Sequence, residues 1–357
     1  MPKILDGGTH RIELPKKIVV GEGVLMDIGG YSQSLYSRGE GFLVITGPRV
    51  ISLYYKIIEE SMKDKGFNVW PRIVKDASVE TAEEVAEEAM KDGINVLIGM
   101  GGGRSIDIAK YAAAKTAKSF ISIPTVASHD GITSPFASLK GFEKPISRKA
   151  KPPDMIVLDV DVISKAPKRY NIAGFGDLIA KYTAVLDWRL ASRLKGEYYG
   201  EYAASLALLS ARHVSTYARE IAVGTKEGYR ILLEALVSSG VAMCIAGSTR
   251  PASGSEHLFA HALFMTAKNQ PLHGEAVGVG TIMMTYLHGR NWVKVKKLLS
   301  IVGAPTTAKE LGVSDWEVVE ALVRAARIRP ERYTILGEQG LTYEAAERLA
   351  KKTGVIG

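Results

Sequence analysis

Cysteine, amides, long apolar runs and blocks of one charge are all scarce in this 357-residue sequence. Its single cysteine, Cys244, excludes an internal disulfide framework and a cysteine-based zinc finger, and suits a reducing compartment, which we take to be the cytoplasm. Five asparagines and three glutamines leave little to deamidate, the depletion expected of a protein that works hot. The richest apolar stretches, Leu232 to Ile245 and Val277 to Leu287, are broken by Glu234, Ser238, Ser239, Gly278 and Gly280. They fall short of the ~18 uninterrupted residues of a spanning helix, so no membrane insertion is expected. Met1 to His10 holds no apolar h-region, so no secretory leader is expected either.

The formal charge is +8, but Lys and Arg are interleaved with Asp and Glu instead of gathered in a run. A basic nucleic-acid-binding protein is the reading from a different functional class, with affinity that falls steeply with salt. Attraction of a small anionic substrate to a cleft accounts for the charge equally well, and no nucleic-acid partner is expected.

From Lys17 to about Val160, short β-branched runs alternate with amphipathic stretches. Phe42–Thr46, Val69–Val74, Asn95–Met100, Phe120–Ile123 and Met155–Leu158 read as strands. Between them, Ile51–Lys65 reads as a helix with Leu53, Ile57, Ile58 and Met62 on its apolar face, and Ser78–Asp92 as one opened by a serine cap. Alternation of this kind builds a parallel sheet. After Pro152-Pro153 the texture turns helical, with helices expected at Asp177–Leu194, Glu201–Glu220, Gly228–Ala246, Ser255–Ala267, Gly274–Leu287 and Asp315–Ala326. The expected fold class is therefore an α/β domain over 1–164 and an all-α domain over 165–357, with the boundary near Ser164 to Pro167 and the active site in the cleft between them.

Asn95–Met100 runs into Gly101-Gly102-Gly103-Arg104-Ser105 and then a helix over Ile106–Lys118. Glycines here let backbone approach an anion while the helix N-terminus offers free N–H groups, a seat for a pyrophosphate. The alternative is an ordinary tight turn. The spacing is neither Gly-x-Gly-x-x-Gly nor a Walker loop. A second small turn, Thr125-Val126-Ala127-Ser128, follows the next strand, and paired turns at the carboxyl ends of parallel strands suit a dinucleotide. Gly47-Pro48-Arg49 holds no acid to grip an adenosine 2′-hydroxyl, while Arg49 suits a 2′-phosphate, so both NAD(H) and NADP(H) are expected to serve.

Three of the seven histidines, His257, His261 and His273, stand close together in the helical half. His257 and His261 share one helix face, and Leu258 stands where a His-Glu-x-x-His metalloprotease motif needs its Glu. His273 opens a helix, and Asp177, in Gly174-Phe175-Gly176-Asp177, is placed at the start of another. One carboxylate and imidazoles with a position left open make a catalytic zinc arrangement, which iron also accepts. His10, His213 and His288 read as structural, His129 as a neutral turn residue, and Lys140, Lys144, Arg148, Lys149 and Lys151 as a solvated loop that could help capture a phosphate.

Five ordered stretches together resemble the metal-dependent alcohol dehydrogenase and dehydroquinate synthase superfamily, most closely its archaeal sn-glycerol-1-phosphate dehydrogenases. They are Gly-Gly-Gly-Arg-Ser at Gly101, Pro-Thr-Val-Ala-Ser-His-Asp-Gly-Ile-Thr-Ser-Pro at Pro124, Gly-Phe-Gly-Asp at Gly174, Gly-Ser-Glu-His-Leu-Phe-Ala-His at Gly254 and His-Gly-Glu at His273. The resemblance implies one zinc per subunit on Asp177, His257 and His273, with Asp177 also reaching substrate. It implies Asp130 and His261 as substrate-binding and catalytic residues. It places the cofactor along Gly101, Gly102, Gly103, Arg104 and Ser105 and along Thr125, Val126, Ala127 and Ser128, with Ser134 near the nicotinamide. Arg104 departs from the superfamily, many of whose members carry Lys there. The implied activity is NAD(P)H-dependent reduction of dihydroxyacetone phosphate to sn-glycerol 1-phosphate for archaeal membrane phospholipids. A glycerol or polyol dehydrogenase is the alternative. A homo-oligomer is expected, because apolar helices such as Leu232–Ile245 exceed what one core hides.

Overall fold

The computed structural model describes residues 10–141 and 145–357, so 1–9 of the Met1 to His10 stretch and Lys144 lie outside the described residues. The chain divides into one compact unit over 13–167 and a second over 168–357, to which residues 10–12 belong.

In the first unit the order is β1 (Lys17–Gly21), α1 (Ile28–Gln33), β2 (Gly41–Thr46), α2 (Pro48–Asp64), β3 (Asn68–Ile73), α3 (Val79–Ala89), β4 (Val96–Gly101), α4 (Gly103–Lys115), β5 (Ser119–Pro124), β6 (Phe136–Lys140), β7 (Pro145–Lys149), β8 (Met155–Asp159) and α5 (Val160–Lys165). Six strands pair in parallel in the order β1-β8-β5-β4-β2-β3. β2 and β4 are buried along their whole length, which is why their sequences show no alternation. Phe42, Val44, Ile98, Ile121 and Val157 share one core with Ile58 and Met62 of α2. Leu53, expected on that face, is 55% exposed, and Tyr54 and Tyr55 pack there instead. Ser78 caps α3 as expected, its Oγ accepting the Thr81 N–H at 3.1 Å. The chain runs outward from β2 to β3, crosses back to β4, and then continues to β5 and β8 on the other side. The strand order therefore reverses between β2 and β4, and ligands of open α/β sheets bind at the carboxyl ends flanking such a reversal.

The segment expected as a solvated loop is regular instead: β6 and β7 form an antiparallel pair with Lys140, Arg148 and Lys149 exposed. In β6 Ala137 and Leu139 are buried while Ser138 and Lys140 face solvent, a half-buried strand too short for its alternation to stand out.

The second unit holds α6 (Lys168–Ile179), α7 (Lys181–Lys195), α8 (Glu201–Thr216), α9 (Ala218–Val223), α10 (Lys226–Ala246), α11 (Ser255–Thr266), α12 (His273–Leu287), α13 (Trp292–Val302), α14 (Ala308–Leu311), α15 (Asp315–Ile328) and α16 (Tyr343–Lys352). It contains no strand among the described residues. Asp177 does not open a helix: it lies in the last turn of α6. The glycines before it look like breakers in sequence but sit inside the helix, where they permit close packing. α10 is long and apolar enough to cross a membrane by length and composition, but Leu232, Leu233, Leu236, Ala242 and Met243 are buried in this unit, as in a core helix.

Candidate active site

Two glycine motifs act as spacers between helices. A Cβ on Gly176 of α6 would fall 2.2 Å from the carbonyl oxygen of Gly274 on α12, and one on Gly274 would fall 1.7 Å from the Ala173 carbonyl oxygen. A third contact joins α11 and α12, where a Cβ on Gly280 would lie 2.9 Å from the Glu256 carbonyl oxygen. Helix backbones approach this closely only where side chains are missing. The residues beside these glycines, Asp177, His257 and His273, are thereby brought together from three helices.

Asp177 Oδ1 stands 3.4 Å from His257 Nε2 and 3.6 Å from His273 Nε2, and one ligand atom from each residue fits within 4.8 Å of the others. Asp177 and His257 are buried, whereas the His273 side chain is 35% exposed and forms the open side. Each buried member is held from behind. Lys181, fully buried one turn along, donates to Asp177 Oδ2 at 3.2 Å, to the Asp177 carbonyl at 2.8 Å and to the Ala252 carbonyl at 3.3 Å. Glu256 Oε1 meets His257 Nδ1 at 2.9 Å and accepts the Gly254 N–H at 2.6 Å, while its Oε2 accepts from the Thr183 hydroxyl at 2.6 Å. A carboxylate on Nδ1 keeps the proton there and turns the Nε2 lone pair toward Asp177. Glu275 is clamped by both Arg169 Nε at 2.5 Å and Nη2 at 2.7 Å, and its Oε2 accepts the Leu272 N–H at 3.0 Å, fixing the turn that presents His273.

Burial would raise the Asp177 pKa, but Lys181 above all, with His257 and His273, holds it well below the carboxylate range. Burial likewise opposes the charge on His257, yet the hydrogen-bonded Asp177 and Glu256 hold it above its ordinary value. His261, one turn beyond His257, has its ring 6.1 Å from that of His273. Burial first, then the charges of His273 and His257, push it well below its ordinary value, and its buried Nδ1 has no hydrogen-bond partner. His288 serves structure, its Nε2 lying 3.0 Å from Asp187 Oδ1. Sequence reading missed Lys181 and Glu256; the only trace of them is their spacing from Asp177 and His257.

In the α/β unit, β4 and β5 end side by side, with Gly101 in register with Pro124, and the Thr125 N–H donates to the Gly101 carbonyl at 3.0 Å. The two expected turns are therefore joined at one sheet edge. Gly101 has φ +146°, a conformation reserved in practice for glycine. Gly102 precedes α4 and is open, since a Cβ there would meet only Val126, at 3.5 Å. Gly103 is not open: its missing Cβ is replaced by the ring of His129, whose Nε2 would lie 2.3 Å away. His129 Nδ1 accepts the Gly131 N–H at 2.9 Å, which ties its ring into the turn. Arg104 is exposed and Ser105 buried at the head of α4. Val126 and Ser128 are half-buried while Thr125 and Ala127 are buried. Asp130 is 8% exposed at the start of a short 3-10 turn, and Ser134 is 2% exposed with its hydroxyl on the Phe136 carbonyl at 3.3 Å. A buried lysine that sequence reading missed, Lys110 of α4, pins this loop by donating to the carbonyls of Gly131 at 2.6 Å and Phe136 at 2.7 Å.

Comparison with known proteins adds identity to this geometry. A family model described as iron-containing alcohol dehydrogenase matches residues 19–167. A glycerol-1-phosphate dehydrogenase (NAD(P)+) of Aeropyrum pernix is 70% identical over 97% of this chain and 99% of its own length. One of Hyperthermus butylicus is 56% identical over 98% of this chain and 99% of its own length. Among solved structures, a glycerol dehydrogenase from Schizosaccharomyces pombe superposes with a TM-score of 0.80 at 22% identity, over 97% of this chain and 90% of that one. At that identity the likeness speaks for the fold.

Proposed function

Given that the chain belongs to the family of the glycerol-1-phosphate dehydrogenases, we propose that it reduces dihydroxyacetone phosphate to sn-glycerol 1-phosphate with NADH or NADPH and one zinc ion. We assign the product to phospholipid backbones and the reaction to the cytoplasm, a reducing compartment that suits a chain with the single cysteine Cys244. The observation that carries the reading is the meeting of Asp177, His257 and His273 within 4.8 Å. One carboxylate oxygen and two imidazole nitrogens suit Zn²⁺, and Fe²⁺ as its replacement, with room left for a substrate oxygen. Held there, the ion supplies Lewis-acid polarisation of the ketone carbonyl.

The chain's own residues do the rest. Lys181 keeps Asp177 ionised and directs its Oδ1 inward, and Glu256 keeps His257 in the tautomer that offers Nε2. We assign the cofactor to Gly101, Gly102, Gly103, Arg104 and Ser105 and to Thr125, Val126, Ala127 and Ser128, with Ser134 beside the nicotinamide. Substrate binding and the proton that follows hydride transfer are assigned to Asp130 and His261. His261, held neutral, passes a proton as a relay and not as an imidazolium.

The test is NAD(P)H oxidation with dihydroxyacetone phosphate, dihydroxyacetone and glyceraldehyde 3-phosphate, after EDTA and again after zinc. Chelator-sensitive, zinc-restored turnover of dihydroxyacetone phosphate is expected. Faster turnover of dihydroxyacetone would make the chain a polyol dehydrogenase.

A further inference from the structure

The helical unit holds a second group of charges for which the reading above has no use. Arg329 follows the last turn of α15, and the Arg332 N–H donates to the Arg329 carbonyl at 2.9 Å. Arg332 is anchored: its Nη1 donates to the Ser253 carbonyl at 2.7 Å and its Nη2 to Thr249 Oγ1 at 2.6 Å. Both anchors lie just ahead of α11, the helix that carries His257 and His261. Arg250, the third guanidinium of the group, is neutralised by Glu197, which takes its Nε at 2.6 Å and also its Nη2. Arg329 is different. It is half-buried, yet its guanidinium makes no hydrogen bond and no ion pair among the described residues, and only the charge of exposed Glu331 offsets it.

Such an arrangement is costly as it stands. Burial, with Arg329 and Arg250 beside it, pushes the Arg332 pKa down to about 9. The Lys268 N–H, just past the end of α11, donates to Glu317 at the start of α15 at 2.8 Å, so the two helices run antiparallel and Arg329, at the far end of α15, returns to the end of α11 that carries His257. Two neighbouring, partly desolvated cations, offset only by exposed Glu331 and by Glu197, which is already paired with Arg250, call for an anion, and the planar fork of arginine matches the oxygens of a phosphate. The phosphates of the dinucleotide are assigned above to the α/β unit, at the head of α4.

We propose that Arg329, supported by the anchored Arg332, binds the phosphate of the substrate and so sets the preference for a phosphorylated over an unphosphorylated ketone. This rests on the phosphorylated-ketone reading above and names the residues that act on it.

Inorganic phosphate is the probe, titrated calorimetrically into the full-length, zinc-loaded protein with NADH saturating, so that the cofactor turns are occupied. Arg329→Gln is expected to weaken phosphate binding by ~10- to 100-fold, the worth of a charge-assisted pair. It should raise KM for dihydroxyacetone phosphate by a similar factor, leave its kcat within a few-fold, and leave dihydroxyacetone kinetics and the melting temperature unchanged. Arg329→Lys should recover part of the loss. Phosphate affinity that is equal in wild type and Arg329→Gln, or no phosphate binding to wild type at all, overturns the assignment. The binding measurement does not depend on which ketone is reduced. A wild-type enzyme that binds phosphate through Arg329 yet reduces dihydroxyacetone faster would fail the functional reading alone.

Discussion

Gly176 and Gly274 touch through their backbones, and that contact sets the position of Asp177 against His273. A Cβ added to Gly176 would lie 2.2 Å from the Gly274 carbonyl oxygen, and no side-chain rotation can relieve the clash, because the obstacle is main chain in a packed helix. Gly176→Ala is therefore expected to cost about 3 kcal/mol of stability, at the upper end of ordinary overpacking. It should also lower zinc content at equal protein concentration, since α6 has to move away from α12. Urea unfolding and metal analysis of the purified variant check both. Wild-type midpoint with a full complement of zinc would show that the glycine is dispensable.

The same cluster fixes the pH behaviour of the metal-free protein. Asp177 has a lowered pKa, so its contribution is present above the ordinary carboxylate value of ~4 and is lost as pH falls through the lowered one. His257 has a raised pKa, so its contribution is complete below ~6.5 and is lost as pH rises through the raised value. His261, held neutral by its lowered pKa, works in the opposite sense and costs stability as pH falls below ~6.5, so the chelated protein should be most stable near the ordinary histidine value and weaken as pH rises through the raised value of His257. Zinc requires neutral His257 and displaces its proton, so zinc affinity should rise over that same interval. Denaturation midpoints with EDTA and zinc titrations across the range measure the two opposite slopes. A zinc affinity that is flat with pH would contradict the coupling.

What the sequence shows and what it hides divide along physical lines. β2 and β4 are legible because strands buried on both faces read as unbroken apolar runs closed by Gly47 and Gly101. Asp177, His257 and His273 are singled out by their motifs, but only the packed glycines explain why they meet. Gly176 looks like a helix breaker because a contact partner does not appear in a linear pattern. Lys110 and Lys181 pass for solvent-facing charges on amphipathic helices, although both are fully buried among polar partners. β6 and β7 stay hidden because a five-residue edge pair carries too little periodicity to outweigh its lysines.

The three consecutive glycines separate into distinct roles that substitution can resolve. Gly103→Ala drives a Cβ into the His129 ring, so it should lose both stability, by about 2 kcal/mol, and cofactor affinity. Gly102→Ala meets nothing closer than Val126 at 3.5 Å and keeps an ordinary extended backbone with φ −81°, so its stability should match wild type. Its new methyl nevertheless covers the open face where a pyrophosphate would approach the head of α4. KM for NADH should rise ~10-fold in both variants, while thermal melting falls only in Gly103→Ala. Unchanged KM in Gly102→Ala would remove the cofactor from this turn.

Arg49, on the other side of the reversal between β2 and β4, is the residue to which we assign cofactor preference. β2 ends at Thr46, in register with Met100 of β4, and Pro48-Arg49 open α2 directly after it. Arg49 is exposed there, and no acid follows β2 to repel a 2′-phosphate or to hold a 2′-hydroxyl. An exposed guanidinium on a phosphate contributes about 1.5 kcal/mol, the lower end for a charged hydrogen bond. Arg49→Ala should therefore raise KM for NADPH by ~10-fold and leave KM for NADH within two-fold, with kcat unchanged for both. Steady-state kinetics with each cofactor at saturating ketone decide the matter. An equal rise for NADH and NADPH would mean that Arg49 acts on the shared pyrophosphate or on the fold, and a wild-type enzyme with no NADPH activity would take it out of cofactor recognition altogether.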